Sequence, residues 1–215
     1  MSEEAKARED ITRFAKSIFD RGLTCGASGN ISVRLSDDTL LVTPTGSSMG
    51  FLDPAQISRL DAAGLHLSGD KPTKEVALHT AFYDTRAATG AVVHLHPTHS
   101  VALSMLPDLD PDNALPPLTP YTIMRLGKVK LLPFFMPGDP AMGEAVRGLA
   151  GKRSAVLLAN HGPVVAGKTL DAAVYAMEEL EETAKLAILT RSLDAIGLSD
   201  AQVAQVVRQF NVDYD

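Results

Sequence analysis

The sequence predicts a single α/β domain, and three observations support this. The chain has 215 residues, which suits one domain with a sizeable hydrophobic core. Segments with apolar residues at helical spacing alternate with short apolar runs that are typical of strands. No repeat, low-complexity tract or linker divides the sequence. We therefore expect one domain over residues 1–215, with a C-terminal helical tail from about residue 193.

The first third of the chain predicts a helix and a β-hairpin. Apolar residues recur at helical spacing between Ile11 and Phe19, so we expect a helix that ends near Gly22. A glycine-rich break follows this helix. Apolar and polar residues then alternate on both sides of a turn signal, which predicts a hairpin formed by residues 31–35 and 39–43.

The rest of the chain predicts helices alternating with strands. Asp53 before Pro54, with Gln56 three residues after Asp53, predicts a short helix that begins with a capping box. Ser199 with Gln202 predicts the same cap at the last helix. Longer helices are expected at about 73–86, 98–105, 141–149 and 170–192, and strands around Leu60, Leu67, 91–96, 129–132 and 155–158. A proline-rich loop is expected over residues 107–120, and no element is assigned between His161 and the helix that begins at Leu170.

Composition and charge exclude several classes of protein. The net charge is −6 and no cluster of lysine and arginine is present, which argues against nucleic acid as a partner. The single cysteine, Cys25, can form neither an internal disulfide nor a thiolate metal site, so a reducing compartment is expected. No apolar run has the length of a membrane span and the N-terminus is too charged for a signal peptide. We therefore expect a cytoplasmic protein without a membrane partner.

Three histidines form a candidate metal site. His94 and His96 lie in one apolar run, where strand side chains two apart share a face, and His161 follows another such run. Three imidazole ligands and one open coordination position are typical of a catalytic ion of the first transition row, such as zinc. The alternative is two half-buried strand histidines and an unrelated loop histidine. Because ligand histidines must be neutral, we expect activity to fall on acidification before roughly pH 5 is reached.

Glu75 is the candidate general acid or base. It follows Thr73 at the expected start of a helix, where a carboxylate can approach a metal site or simply favour the helix N-terminus. Two polar turns, residues 26–30 and 43–46, have donors for a phosphate, and the alternative is that they are only turns. The residues expected to be structural or solvated are His66, His79, His99 and the glutamates Glu178, Glu179, Glu181 and Glu182.

Five motifs together resemble the class II aldolase/adducin family. They occur in the family's order with similar separations, and the match spans about residues 5–192. The motifs are Ser28-Gly29-Asn30, Thr43-Pro44-Thr45-Gly46, Pro72-Thr73-Lys74-Glu75, His94-Leu95-His96 and Asn160-His161-Gly162. The resemblance implies a three-layer αβα domain with a central, mostly antiparallel sheet, and a homotetramer with its sites between subunits.

The resemblance also implies roles for individual residues. His94, His96 and His161 would bind a divalent metal, first of all Zn²⁺ with Mn²⁺ or Co²⁺ as alternatives, and Glu75 would be the catalytic acid and a ligand of the resting metal. Together with Ser28 of the first turn, the substrate-binding positions would be Gly29, Asn30, Thr45, Gly46, Thr73, Lys74 and Tyr121.

Lys74 departs from the family's aldolases, which tend to have a small hydroxyl residue at this position. A cation there would suit a substrate that carries a carboxylate as well as a phosphate, and the alternative is that Lys74 points to solvent. Residues 120–127 and 136–139 are most similar to the members that convert 3-oxo-tetronate 4-phosphate into dihydroxyacetone phosphate and carbon dioxide. The expected partner is therefore a phosphorylated small molecule.

Other functions remain open on sequence grounds, because a fold does not decide a function. A fuculose-phosphate type aldolase, a phosphosugar epimerase and a dehydratase all fit the same motifs. Adducin-like members are non-enzymatic interaction domains, and the presence of all three histidines favours an enzyme. A metal-dependent oxygenase would instead require two histidines and a carboxylate around iron.

Overall fold

The structure, a computed structural model, describes residues 1–214. The helices are α1 (Glu3–Asp20), α2 (Val76–Thr85), α3 (Thr98–Ser104), α4 (Pro120–Leu126), α5 (Ala141–Arg147), α6 (Leu170–Thr190) and α7 (Asp200–Phe210), with short 3₁₀ helices at Met49–Phe51 and Pro54–Gln56. The strands are β1 (Asn30–Arg34), β2 (Leu40–Val42), β3 (Ser58–Leu60), β4 (His66–Ser68), β5 (Ala91–His94), β6 (Lys130–Leu132), β7 (Ala155–Leu158) and β8 (Gly162–Gly167).

The strands of residues 1–214 form one sheet in the order β4-β3-β2-β1-β5-β8-β7-β6. Only β6 and β7 pair in parallel, and every other neighbouring pair in this order is antiparallel. Helices α1, α3 and α6 pack against one face of the sheet, and α2 and α5 pack against the other. The expected αβα domain with a mostly antiparallel sheet is therefore confirmed.

Alternation along the strands separates the two hydrophobic cores. In β2, Leu41 belongs to the core under α1 and α6, whereas Leu40 and Val42 belong to the core under α2 and α5. In β5, Val93 faces the first core and Val92 faces the second. Because strand side chains alternate, His94 shares the face of Val92 and lies on the α2 side of the sheet.

Two elements lie where the sequence predicted neither a helix nor a strand. Helix α4 begins inside the proline-rich stretch, because Pro120 occupies its first turn and the Thr119 side chain accepts the backbone N–H of Thr122. Strand β8 occupies residues that had no predicted element, and Pro163 is its second residue. Proline lacks an N–H group, yet its carbonyl remains available as an acceptor, and this carbonyl matters for the candidate site.

Element ends also differ from the predictions. Helix α2 begins at Val76 rather than near Thr73, and Glu75 is its N-cap residue without a side-chain capping bond. Strand β5 ends at His94, so His96 lies outside it. The capped starts are confirmed: the Asp53 side chain accepts the N–H of Ala55, and Ser199 forms its capping box.

The expectation that His99 and Glu181 are solvated is wrong. The Glu181 carboxylate accepts hydrogen bonds from the backbone N–H groups of His99 and Ser100 at 3.0 and 2.8 Å. It also lies 2.8 Å from His99 Nδ1. Glu181 therefore ties α6 to the first turn of α3, where a carboxylate is favoured by the free amides.

The segment after α6 returns to the body of the domain. The backbone N–H of Leu198 donates to the carbonyl of Pro117 at 2.9 Å, and α7 contains no buried residue. Within residues 1–214, no helix combines the length and the apolar composition that crossing a bilayer requires.

Gly29 is a position where the fold requires glycine. Its φ is +80°, and an added Cβ would lie 2.9 Å from the carbonyl oxygen of His94. Gly26 has a φ of +59° but nothing within 4 Å of an added Cβ. The left-handed conformation costs an alanine about 1–2 kcal/mol at either position, and overpacking adds roughly 1–3 kcal/mol at Gly29 alone.

We therefore expect Gly29→Ala to lower the free energy of unfolding by more than Gly26→Ala does. Urea unfolding of both variants followed by circular dichroism measures the difference. Equal losses would show that the His94 backbone moves away freely and that Gly29 is needed only for its dihedral angle.

Candidate metal centre and substrate cavity

His94 is held at the centre of the sheet with a defined tautomer. It is the last residue of β5, is fully buried, and lies opposite Asn30 of β1 and Val164 of β8. Its Nδ1 lies 2.8 Å from the carbonyl oxygen of Pro163. Because a carbonyl only accepts, Nδ1 carries the proton and donates. The lone pair of Nε2 is therefore left for a ligand role.

The other two histidines meet His94 from separate loops. His96 lies two residues beyond the end of β5, and His161 lies in the turn between β7 and β8, where Asn160 adopts a φ of +57°. The Nε2 of His94 is 3.1 Å from that of His96 and 3.3 Å from that of His161. The structure thus brings together all three histidines predicted from sequence, although His96 reaches the cluster from a loop rather than from the strand.

Burial keeps these imidazoles neutral. Desolvation, together with the neighbouring imidazoles, lowers the pKa of His94 and of His96 to about 3. Burial also lowers the pKa of His161, and the Glu75 carboxylate opposes this. His94 and His96 are therefore neutral at pH 5 in the metal-free fold, and the expected fall of activity on acidification stays a prediction.

Glu75 completes the cluster as its only carboxylate within residues 1–214. Its Oε2 accepts a hydrogen bond from Asn30 Nδ2 at 2.7 Å and lies 3.4 Å from His94 Nε2. Its Oε1 lies 3.7 Å from His161 Nε2. The side chain is almost fully buried, so its charge acts in a medium where electrostatic interactions are strong.

The donor set fits a divalent first-row ion. Neutral imidazole nitrogens and one carboxylate are the ligands that zinc and its neighbours prefer. His161 Nδ1 is buried without a hydrogen-bond partner in residues 1–214, so no hydrogen bond from this nitrogen fixes the ring. Coordination through Nε2 would do so. The three histidines and Glu75 are the residues that could hold the ion.

A cavity of about 270 Å³ opens beside this cluster. Most residues with a predicted site role line it, and the complete lining is Ala27, Ser28, Gly29, Asn30, Pro44, Thr45, Gly46, Thr73, Lys74, Glu75, His96, Pro137, Gly138 and His161. Sequence reasoning did not assign a role to Pro137 and Gly138, which were noticed only as part of a motif. The structure thus places both turns that were predicted to bind phosphate beside His96, His161 and Glu75.

Several donors around the cavity are already used. The Ser28 hydroxyl donates to the carbonyl of Cys25 at 2.7 Å, and the backbone N–H of Thr45 donates to the carbonyl of Lys71 at 2.9 Å. Lys74 is exposed and forms no ion pair within residues 1–214. Among residues 1–214, Lys74 is therefore the one free cation at the cavity wall.

Tyr121 is the one predicted site residue that the structure places elsewhere. It lies on α4 with 58% of its surface exposed. It lines a second cleft of about 590 Å³ with Arg125, Glu179 and Glu182, among others. Within one chain, Tyr121 therefore lies in a different cleft from the three histidines and Glu75.

Residues 9–188 match the sequence pattern of the Class II Aldolase and Adducin N-terminal domain. The chain belongs to this family.

Similarity to individual family members extends over nearly the whole chain. The 3-oxo-tetronate 4-phosphate decarboxylase of Escherichia coli O6:H1 is 48% identical over 203 residues, which cover 94% of this chain and 96% of that protein. The L-fuculose phosphate aldolase of Methanococcus maripaludis strain S2 is 33% identical over 187 residues, covering 86% and 99%. The crystal structure of Escherichia coli YgbL superposes with a TM-score of 0.93 at 46% identity, covering 95% of this chain and 99% of that one.

Removal of one imidazole should abolish tight metal binding. We expect His94→Ala to bind Zn²⁺ more than about 100-fold more weakly than the unsubstituted protein, because even outer-shell changes cost 10–100-fold. His66→Ala, at an exposed residue of β4, is the matched control and should keep full affinity. Metal content after dialysis and calorimetric titration measure both. A folded His94→Ala protein with unchanged affinity would remove His94 from the ligand set.

The metal-free protein should lose stability in mild acid. The ordinary histidine pKa is 6.5, whereas that of buried His79, His94 and His96 is about 3 in the fold. The unfolded chain therefore binds more protons between these values, so stability is complete above about pH 6.5 and falls as the pH approaches 3. Urea unfolding at about pH 7 and pH 5 isolates the histidines from most carboxylates. An equal free energy of unfolding at both would contradict the assignment of buried neutral imidazoles.

Proposed function

We propose that the protein is a metal-dependent decarboxylase that converts 3-oxo-tetronate 4-phosphate into dihydroxyacetone phosphate and carbon dioxide. The observation that carries the proposal is the buried Glu75 carboxylate, which lies against three neutral imidazoles at the wall of a cavity with phosphate-type turns. The 48% identity to a decarboxylase of this substrate, over nearly the full length of both proteins, supports the choice among the family's reactions.

His94, His96 and His161 would hold one divalent ion, and Glu75 would be a further ligand while no substrate is bound. We assign Zn²⁺ first, with Mn²⁺ and Co²⁺ as the alternatives, because imidazole and carboxylate ligands suit all three. When bound, such an ion supplies Lewis-acid polarisation of the substrate carbonyl. The burial of His94 keeps its ligand nitrogen deprotonated at neutral pH.

The two polar turns would bind the phosphate. Gly29 and Gly46 have φ values of +80° and +72°, and backbone amides in such turns form concave anion sites. Thr45 and Thr73 add hydroxyl groups at the same wall, and Ser28 and Asn30 complete it. This end of the cavity would fix the phosphate and direct the carboxylate end of the substrate toward the metal cluster.

Glu75 would supply the proton that completes the reaction. The bond between C1 and C2 of the substrate breaks, carbon dioxide leaves, and the electron pair moves onto the adjacent C3 carbonyl to give an enediolate. C2 then takes one proton from the carboxyl group of Glu75, which regains it from water, and dihydroxyacetone phosphate results. No base is needed for the first step, so Glu75 acts chiefly in the second.

Lys74 would recognise the carboxylate that leaves. It is a free cation at the cavity wall, one residue before the catalytic acid, and a charge-assisted hydrogen bond to a carboxylate orients the substrate. Decarboxylation is favoured when the C1–C2 bond that breaks is aligned with the π system of the C3 carbonyl, which accepts the electron pair.

The active form would be a cytoplasmic homotetramer that acts on a phosphorylated small molecule, without nucleic-acid or membrane partners. Tyr121 supports the assembly, because it is exposed and faces away from the metal cluster of its own chain. In a ring of copies, Tyr121 of one subunit would complete the cavity of its neighbour. Light scattering of the purified protein measures the number of subunits.

Product analysis tests the function. Metal-replete protein is incubated with 3-oxo-tetronate 4-phosphate, prepared in situ by a kinase, and carbon dioxide and dihydroxyacetone phosphate are followed together. We expect equimolar release of the two, and loss of both after chelation of the metal. If neither appears, while fuculose 1-phosphate yields dihydroxyacetone phosphate and an aldehyde, then the protein is an aldolase.

The role of Lys74 is tested by Lys74→Ser, with Lys71→Ser as the matched control at an exposed lysine outside the cavity lining. We expect Lys74→Ser to raise KM for the acid substrate by roughly tenfold, since a charge-assisted hydrogen bond is lost. Binding of dihydroxyacetone phosphate, which has no carboxylate, should change less than about twofold. Equal losses for both molecules would assign Lys74 to the phosphate instead.

A further inference from the structure

A buried chain of hydrogen bonds ends at Glu75. Tyr83 Oη lies 2.8 Å from Ser32 Oγ, which lies 2.7 Å from His79 Nδ1. His79 Nε2 lies 2.5 Å from Asn30 Oδ1, and Asn30 Nδ2 lies 2.7 Å from Glu75 Oε2. Every member is buried, and the exposed fractions run from 0% to 7%. Sequence reasoning treated His79 as structural, so its link to the catalytic carboxylate is new.

Donor and acceptor chemistry fixes the direction of this chain. Oε2 of Glu75 accepts, so the Asn30 amide donates to it through Nδ2 and presents Oδ1 to His79. A carbonyl oxygen only accepts, so His79 must carry its proton on Nε2. The neutral imidazole then accepts at Nδ1 from the Ser32 hydroxyl, and the Tyr83 hydroxyl donates to Ser32. Each proton has one place, and all of them point toward Glu75.

Both ring nitrogens of His79 are used in this chain of hydrogen bonds. His79 is fully buried, its Nδ1 faces Ser32 Oγ, and its Nε2 faces Asn30 Oδ1. A neutral imidazole has one donor and one acceptor, and both are used. His79 therefore cannot form a hydrogen bond with another group unless it breaks one of these two.

We propose that His79 is the positioning residue of the catalytic acid. By donating from Nε2 it fixes the orientation of the Asn30 amide, which holds Oε2 of Glu75 and leaves Oε1 as the oxygen that exchanges a proton with the substrate. Without this donor, the Asn30 amide can rotate by half a turn and place its carbonyl against the carboxylate, which is repulsive. The proposal deepens the proposed function and rests on it for the role of Oε1.

Kinetics of two His79 variants test the positioning role. His79→Leu removes the donor at similar size, and His79→Gln keeps an N–H donor at the end of the side chain. We expect His79→Leu to lower kcat by about 10–100-fold, the usual cost of an outer-shell change, with KM changed less than about threefold. His79→Gln should recover most of kcat. Similar losses of kcat in both variants would overturn the proposal.

A double-mutant cycle separates positioning from packing. Because decarboxylation needs no base, residual carbon dioxide release remains measurable in Glu75→Gln. In that background we expect His79→Leu to cost less than about threefold, since the carboxylate that it positions is gone. A merely structural role predicts the same loss in both backgrounds, and that result would overturn the proposal.

Nitrogen NMR of protein labelled with ¹⁵N-histidine tests the tautomer without any substrate. Full-length wild-type protein, metal-free and zinc-loaded, should show His79 with a slowly exchanging proton on Nε2 and none on Nδ1. Ser32→Ala should remove the preference of His79 for a proton on Nε2 and lower kcat by about tenfold. Because this change is small, the variant provides a test if His79→Leu does not fold. A proton on Nδ1 in the wild type overturns the positioning role, whereas a correct tautomer without carbon dioxide release overturns only the proposed function.

Discussion

His94 stands at the end of β5, where the strands on both flanks hold its backbone and its ring. The register of β1 places Asn30 opposite it, and β8 supplies the Pro163 carbonyl that accepts the Nδ1 proton. One buried residue therefore sets the direction of the ligand nitrogen and the place of the amide that contacts Glu75. The other groups of the centre are arranged around a ring that cannot rotate without breaking the Nδ1 hydrogen bond.

The fold could be predicted from sequence wherever apolar periodicity and capping residues agreed. The first hairpin and the capped starts at Asp53 and Ser199 are of this kind. Strand β8 was missed because a proline and flanking glycines look like a loop, and only the pairing with β5 and β7 makes it a strand. Helix α4 was missed because surrounding prolines hid the cap formed by Thr119. In both cases tertiary context outweighed local composition.

The candidate site was predictable where the chemistry of single residues is distinctive. Histidines at His94, His96 and His161 and an acid at Glu75 could be found from residue type, spacing and order. The role proposed for His79 could not, since it depends on β1 presenting Ser32 and Asn30 to α2. A spacing of four between Glu75 and His79 was the one available signal, because such residues share a side of a helix. The position of Tyr121 depends on how α4 lies in three dimensions, which no pattern reports.

The strand order also has a consequence for folding. β8 comes late in the chain but inserts between β5 and β7, so the centre joins residues from β1, the start of α2, the end of β5 and the β7–β8 turn. The hydrogen bonds that join these elements span 45 to 69 residues of sequence, and chain closure over such distances slows folding. An ion that binds all three imidazoles at once can bind only the folded chain. Its binding free energy therefore adds to the stability of the native state through mass action.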